Sequence, residues 1–266
     1  MTAASKRIQN WCALTGLAIV GVFACRAVAD DAGWRTIPLI ADGKIAPAWV
    51  HMGYGTFTVV DGALRTDCDE RGMGMLLYQK EKLGNCQIRV VYRAETPKSN
   101  AGVFVRIDDG VLSHIADVMP PAKREANGKL KPEELAKIEQ ASVQELGAWY
   151  PVHHGYEVQI MDQTDERHRT GALYSLSTAA ELPKADAGAW RTMIITLDGS
   201  NVIVRVDGKE VSRFDSKSTD IAPAKKWSEP KREHVRPEVG YIGLQNHDPG
   251  DMVYFKEICV HALSRS

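Results

Sequence analysis

Glu157, Gln159 and Asp162 stand at offsets 0, +2 and +5 within Gly155-Tyr156-Glu157-Val158-Gln159-Ile160-Met161-Asp162. Two carboxylates and an amide at that spacing can carry acid–base chemistry, provided one surface presents them together. The run reads as a β-strand. Alternation sends Tyr156, Val158 and Ile160 to one side, and Glu157 and Gln159 to the other. Asp162 then falls with the apolar side; a β-bulge near Met161 would return it beside Glu157 and Gln159. The same parity applied to Asn100–Ile107 puts Asn100, Gly102, Phe104 and Arg106 on one face, with Ala101, Val103, Val105 and Ile107 on the other. In Tyr241–His247, Ile242 and Leu244 look inward, while Gly243, Gln245 and His247 look out. Adjacent in one sheet, the three strands would gather Arg106, Glu157, Gln159, Gln245 and His247 on a common surface.

A half-solvated antiparallel sheet also alternates apolar and polar residues, but it favours Lys, Thr and Ser outside. Here the outward set is Arg, Glu, two Gln and His, with Gly102 and Gly243 among them. Glycine within a strand marks close approach of a ligand or another backbone, so this face reads as a functional hollow. His247, in Gln-Asn-His-Asp, either lines that hollow or caps a turn. The His153-His154 pair reads as a solvated loop pair rather than a metal site. Trp49, Trp149, Trp190 and Trp227 are candidate sugar-stacking surfaces, with Trp190, at the head of a strand, read as core.

The elements that must position these groups are short strands between turn signals. Phe57–Val60 and Ala63–Thr66 flank Asp61-Gly62, a two-residue hairpin signal. Gln87–Arg93 alternates. Thr192–Leu197 and Val202–Val206 join through Asp198–Asn201, and Asp207-Gly208 turns the chain into Glu210–Phe214. With Met252–Val260 they predict an all-β sandwich or barrel. Residues 108–154 form one long insertion, predicted helical from Pro132 to Leu146 by a first-turn proline, early acids and the spacing of Leu135, Ile138, Val143 and Leu146. It is either a lid or rim over the polar face, or a peripheral ornament. Residues 215–238 read as a surface loop.

The first 29 residues read as an export signal. Lys6 and Arg7 precede an apolar run at residues 11–25, and Ala27-Val28-Ala29 offers a cleavage site. The expected product is periplasmic or extracellular; lipid anchoring at Cys25 is the alternative, and no stable membrane span is expected. The remaining 30–266 suits a single β-sandwich domain. The full chain carries a net charge of −1; without Lys6, Arg7 and Arg26 it has 30 basic and 34 acidic residues, a net −4. No basic patch stands out, so nucleic acid is not expected as a partner. Three cysteines remain, Cys68, Cys86 and Cys259: either Cys68 pairs with Cys86, or all three are buried thiols. No ligand spacing for structural zinc is present.

From Trp34 to Leu263 the chain resembles the 3-keto-disaccharide hydrolase family. The resemblance is carried by Phe57-Thr58-Val59-Val60-Asp61-Gly62-Ala63-Leu64, Tyr92-Arg93 and Asn100-Ala101-Gly102-Val103-Phe104-Val105-Arg106. It continues through Gly155–Asp162, Thr170-Gly171-Ala172-Leu173-Tyr174, Gly188-Ala189-Trp190-Arg191 and Val206-Asp207-Gly208. Gly240-Tyr241-Ile242-Gly243-Leu244-Gln245-Asn246-His247 and Val253–Ile258 complete it. Ala101, Asn246 and the 108–154 insertion depart from the family pattern.

The resemblance implies an exported concanavalin A-like two-sheet β-sandwich (jelly roll) that cleaves glycosides previously oxidised at C3. The partners it implies are a carbohydrate substrate and, functionally, a glycoside 3-dehydrogenase. A C3 ketone acidifies the C2 hydrogen, so a base, an enolate stabiliser and an acid would complete β-elimination. Glu157 or His247 is the candidate base. Arg106, or a divalent metal ion, is the candidate enolate stabiliser, and Asp162 or the other member of the first pair the acid. Asn100, Gln159, Gln245 and Tyr174 are candidate substrate grips. No cofactor is required by the sequence. Two alternatives stand beside this. The strand also resembles the Glu-x-Asp-x-x-Glu strand of laminarinase-type glucanases, which implies a direct retaining glycosidase with carboxylates about 5–5.5 Å apart, but Gln159 replaces the middle acid. A sandwich can also serve as a non-catalytic carbohydrate-binding module.

Overall fold

The computed structural model describes residues 33–162, 165–232 and 236–263. The export and lipidation assignments at residues 1–29 lie outside them. The strands are β1 (Trp34–Thr36), β2 (Ile40–Ala41), β3 (Lys44–Ile45), β4 (Trp49–Gly53), β5 (Thr56–Val60), β6 (Ala63–Asp67), β7 (Gly74–Leu83), β8 (Cys86–Ala94), β9 (Ala101–Ile107), β10 (Tyr156–Ile160), β11 (Arg191–Asp198), β12 (Asn201–Val206), β13 (Lys209–Asp215), β14 (Gly240–Asn246) and β15 (Val253–Ala262). Among the described residues three helices, α1 (Val111–His114), α2 (Pro132–Val143) and α3 (Trp149–His154), all lie between β9 and β10. Among the described residues no helix is long and apolar enough to cross a membrane.

Two antiparallel sheets make the sandwich. One runs β13-β12-β11-β8-β15-β6-β5, with β1 also pairing β15; the other runs β10-β9-β14-β7-β4. Their facing sides bury Ile88, Val90, Tyr92, Val103, Val105, Val158, Ile160, Ile195, Leu244 and Phe255 in one apolar core. The hairpins follow their turn residues. Asp61 and Gly62 have φ of 49° and 76°, and Asp207 and Gly208 have 49° and 82°; two successive positive φ values are what a type I′ turn needs, and Asp-Gly supplies them cheaply. Helix α2 begins with Pro132 at its first turn, as predicted, and ends three residues before Leu146.

A second apolar cluster lies on the other side of the five-stranded sheet. Met52, Met75, Leu77, Phe104 and Tyr241 pack there against Val111, Met119, Tyr150 and Val152 of the insertion. The insertion is therefore built onto the sheet rather than appended to it. Tyr150 stacks between His114 and His154, at 4.2 and 4.0 Å between ring centroids.

Several expectations change. Cys68, Cys86 and Cys259 are free thiols, which excludes a Cys68–Cys86 bridge. Trp190 is 41% exposed instead of core, because it precedes β11 on the sandwich's outer side, where Arg93 and Lys256 lie over its ring. His153 and His154 belong to α3. His153 is buried, with Nε2 3.1 Å from Ser142 Oγ, and burial pushes its pKa down to about 4. His154 bridges Asp108 and Glu145 at 3.0 and 2.9 Å.

Asn246 ties the strand edges beneath the polar face. Fully buried, its Oδ1 accepts from the Gly74 amide at 2.6 Å, and its Nδ2 donates to the Tyr54 and Thr56 carbonyls at 3.2 and 3.3 Å. Asn246→Ala should orphan these buried backbone groups and cost about 2–4 kcal/mol of stability in denaturant unfolding. A loss below about 0.5 kcal/mol, the range of ordinary surface changes, would show that the bridge contributes nothing.

Candidate functional site

The polar face is set by strand order. In the five-stranded sheet β9 lies between β10 and β14, and Glu157 pairs with Phe104 and Gln159 with Gly102. Glu157, Gln159 and Gln245 thus share the sheet side that faces the insertion. Gly102 makes room for the carboxylate: a Cβ there would lie 2.6 Å from Glu157 Oε1. Gly243 does the same for Met75, whose Sδ would lie 2.5 Å from an added Cβ.

A cavity of about 450 Å³ opens between this floor and the insertion. Asn100, Glu157, Gln159, Tyr174, Gln245 and His247 all line it. Glu157 is 8% exposed. Burial drives its pKa up to about 7, against the opposing pull of the His247 imidazole and the Gln245 amide. For His247 burial disfavours the charge, but Asp251, Asp248 and Glu157 outweigh it and raise the pKa. Its Nδ1 lies 3.4 Å from Asp251 and 3.5 Å from Asp248. Donor atoms of these three residues lie within 4.8 Å of one another, a set that a divalent cation could also use. Burial, then the charge of Glu157, pushes the Tyr174 hydroxyl up to about 12, so it stays protonated. Gln159 donates through Nε2 to Asn100 Oδ1. Gln245 gives Nε2 to the Met73 sulfur at 3.9 Å, while its buried Oε1 has no partner among the described residues.

Arg106 does not join this site. Between β9 and β14 the register runs Tyr241↔Ile107 and then Gly243↔Phe104, so two β9 residues, Val105 and Arg106, oppose the single Ile242. Arg106 is the bulged residue, with φ of 54°. The bulge breaks alternation: Ile107 joins Phe104 on the insertion side, and Arg106 is buried with its Nη2 donating to the Gly199 carbonyl at 2.5 Å. Burial lowers its pKa. No bulge returns Asp162 to the polar face: β10 pairs residue for residue with β9 from Tyr156↔Val105 to Ile160↔Ala101, and Met161 follows Glu157 and Gln159 in lining the cavity. Asp162 accordingly stays on the other side. It accepts from Thr170 Oγ1 at 2.6 Å, sits 3.4 Å from Arg191 Nε, and lines a separate cavity of about 400 Å³ with Arg169, Arg191 and the 181–189 loop.

Sequence parity missed the residues that close the cavity from above: Leu130, Leu135 and Ile138 of the insertion, and His168, Asp165 and Asp248 of the loops. The Leu135/Ile138 spacing marked a helix face, but nothing local says what that face meets.

Glu157→Gln tests the burial of the carboxyl. A carboxyl whose folded pKa is raised to about 7 contributes stability that is complete below the ordinary carboxylate range and lost as pH rises through 7. The variant removes that loss. Relative to the native chain it should gain about 3 kcal/mol between pH 4 and pH 8 in denaturant unfolding. An unchanged difference at the two pH values would mean that Glu157 ionises like a surface acid.

Among solved structures, the fold is similar to a protein of Parabacteroides distasonis ATCC 8503 provisionally described as a glycosyl hydrolase, with 20% identity, TM-score 0.58, and coverage of 86% of this chain and 99% of that one. A second such protein from the same organism is 15% identical, with TM-score 0.51 and coverage of 88% and 89%. At these identities the likeness is one of fold. Among curated proteins no match was found. A family model described as "3-keto-alpha-glucoside-1,2-lyase-like domain" matches residues 33–261, and with both sheets and the cavity-lining strands inside that span, the chain belongs to this family.

Proposed function

We propose that the cavity cleaves glycosides already oxidised at C3, by base-assisted β-elimination followed by hydration. One observation carries the reading: a desolvated carboxylate, Glu157, poised near neutrality beside an imidazole whose pKa is raised. A general base works best when its pKa lies near the working pH. Family membership supports the same chemistry, since the family description names a 1,2-lyase of 3-keto-glucosides.

Glu157 takes the C2 proton, and the electron pair moves into the enolate of the C3 ketone. The His247 imidazolium, in place of Arg106, stabilises the enolate oxygen. The C1–O bond then breaks, and the leaving oxygen takes a proton relayed through the Tyr174 hydroxyl. Water adds across the resulting C1–C2 double bond: its hydroxyl goes to C1, its proton restores the Tyr174 hydroxyl, and Glu157 returns the first proton to C2. The sum is hydrolysis. Gln159, Asn100 and the unpartnered Gln245 Oε1 grip sugar hydroxyls. A divalent cation held by His247, Asp248 and Asp251 would supply Lewis-acid polarisation of the ketone in place of the imidazolium; loss of turnover on chelation would favour that version. On this reading the substrate would be supplied by a separate glycoside 3-dehydrogenase.

The retaining-glycosidase alternative loses Asp162 as its second carboxylate, because that residue lines the other cavity. The binding-module alternative remains distinguishable. Native protein should release aglycone from a 3-keto-glucoside and not from the plain glucoside. Activity should rise with pH through an apparent pKa near 7. Glu157→Gln should lower turnover by about 10²–10⁴-fold, the usual weight of a general base. Binding without turnover, unchanged by Glu157→Gln, would make the protein a lectin; turnover of the plain glucoside alone would overturn the elimination chemistry.

A further inference from the structure

The cavity is chemically lopsided. Its floor is Glu157, Gln159, Gln245 and His247; its roof is Leu130, Leu135, Ile138, Trp149, Val152 and Trp227. Leu135 and Ile138 lie one turn apart on α2 and so share a face. Leu135 remains 43% exposed although it lines the cavity. Trp149 and Trp227 stand with ring centroids 5.5 Å apart and planes tilted by 58°, forming an apolar corner. Ser142 holds that corner in place: its Oγ donates to the Trp227 carbonyl at 3.3 Å and lies 3.1 Å from His153 Nε2. Of the charged groups that also line the cavity, Arg124 is tied to Asp248 and His168 to Asp165, while Lys226 adjoins Trp227.

We infer that this roof is a subsite for an apolar, ring-bearing leaving group, and that the preferred substrates are 3-keto-glycosides of aromatic or alicyclic alcohols rather than of a second sugar. The inference rests on the 3-keto-glycoside reading of the floor. A second sugar ring would turn several hydroxyls toward Leu130, Leu135 and Ile138, where they would lose water without gaining partners. A single sugar fits the polar floor, and an aryl ring bound through the glycosidic oxygen reaches from it to the two indoles. Aromatic rings at such a corner gain burial and offset or edge contacts. The insertion that departs from the family pattern, together with Trp227 of the 215–238 loop, thus selects the aglycone.

The test compares kcat/KM for phenyl, methyl and glucosyl 3-keto-glucosides. The phenyl compound should exceed the glucosyl one by about tenfold or more, the discrimination an apolar pocket supplies. Leu135→Asn, at a half-exposed position, and Trp227→Ala should each lower the phenyl value by about tenfold and leave the methyl value within about twofold. A glucosyl compound cleaved as well as the phenyl one, or variants that depress phenyl and methyl substrates alike, would overturn the subsite. If no 3-keto-glucoside is cleaved, the catalytic reading fails separately. The subsite is then read by calorimetric titration of the native protein: tighter binding of the phenyl than the methyl compound, lost in Leu135→Asn, sustains it, and equal affinities refute it.

Discussion

Desolvation of the Glu157 carboxyl is the constraint around which the site is arranged. Taking a carboxylate out of water costs several kcal/mol unless charge or hydrogen bonds compensate. Here compensation is partial: an amide at Gln245 and an imidazole at His247 temper the penalty without cancelling it, so the pKa settles near neutrality. The rest of the arrangement serves that balance. Gly102, on β9 between β10 and β14, removes the side chain that would collide with the carboxylate, and the insertion lines the cavity above it. A more exposed Glu157 would behave as an ordinary surface acid, and a fully apolar surround would keep it protonated.

The same logic explains the two other charged groups of the region. Arg106 is nearly inaccessible, yet among the described residues its Nη2 has the Gly199 carbonyl and its Nε no partner. Its placement comes from backbone geometry: a left-handed φ at a bulged residue re-aims the side chain. Asp162 is stabilised by Thr170 and Arg191, so it has no need of the cavity. The two residues leave the polar face for different reasons: Arg106 because a bulge re-aims it, Asp162 because alternation continues without one.

Much of the arrangement could be read from the chain. Period-two alternation in Glu157–Gln159 and Gly243–Gln245 gave the correct faces, because both stretches pair regularly with their neighbours. Asp-Gly dipeptides marked hairpins because few other residues accept two positive φ values. Pro132 marked the start of α2. What could not be read depends on partners distant in sequence. A bulge at a non-glycine residue leaves no local signature, so Arg106 and Ile107 were assigned to the wrong sides. Trp190 carries the composition of a core residue, and only the cations beside it make exposure tolerable. Leu135 and Ile138 sit on a helix whose periodicity is plain, but nothing in that periodicity says that the face meets the polar floor built by β10 and β14.

The insertion leaves β9 at Ile107 and re-enters the sheet at Tyr156, and the strands it joins are immediate antiparallel neighbours. In topology it is an overgrown hairpin loop. Lengthening such a loop adds little closure entropy and shifts no strand register, so the segment can be lengthened, trimmed or exchanged while Glu157, Gln159 and Gln245 keep their places. Descent could therefore rework the upper half of the hollow many times over on one unchanging base, diversifying what is accepted without reinventing the chemistry beneath it.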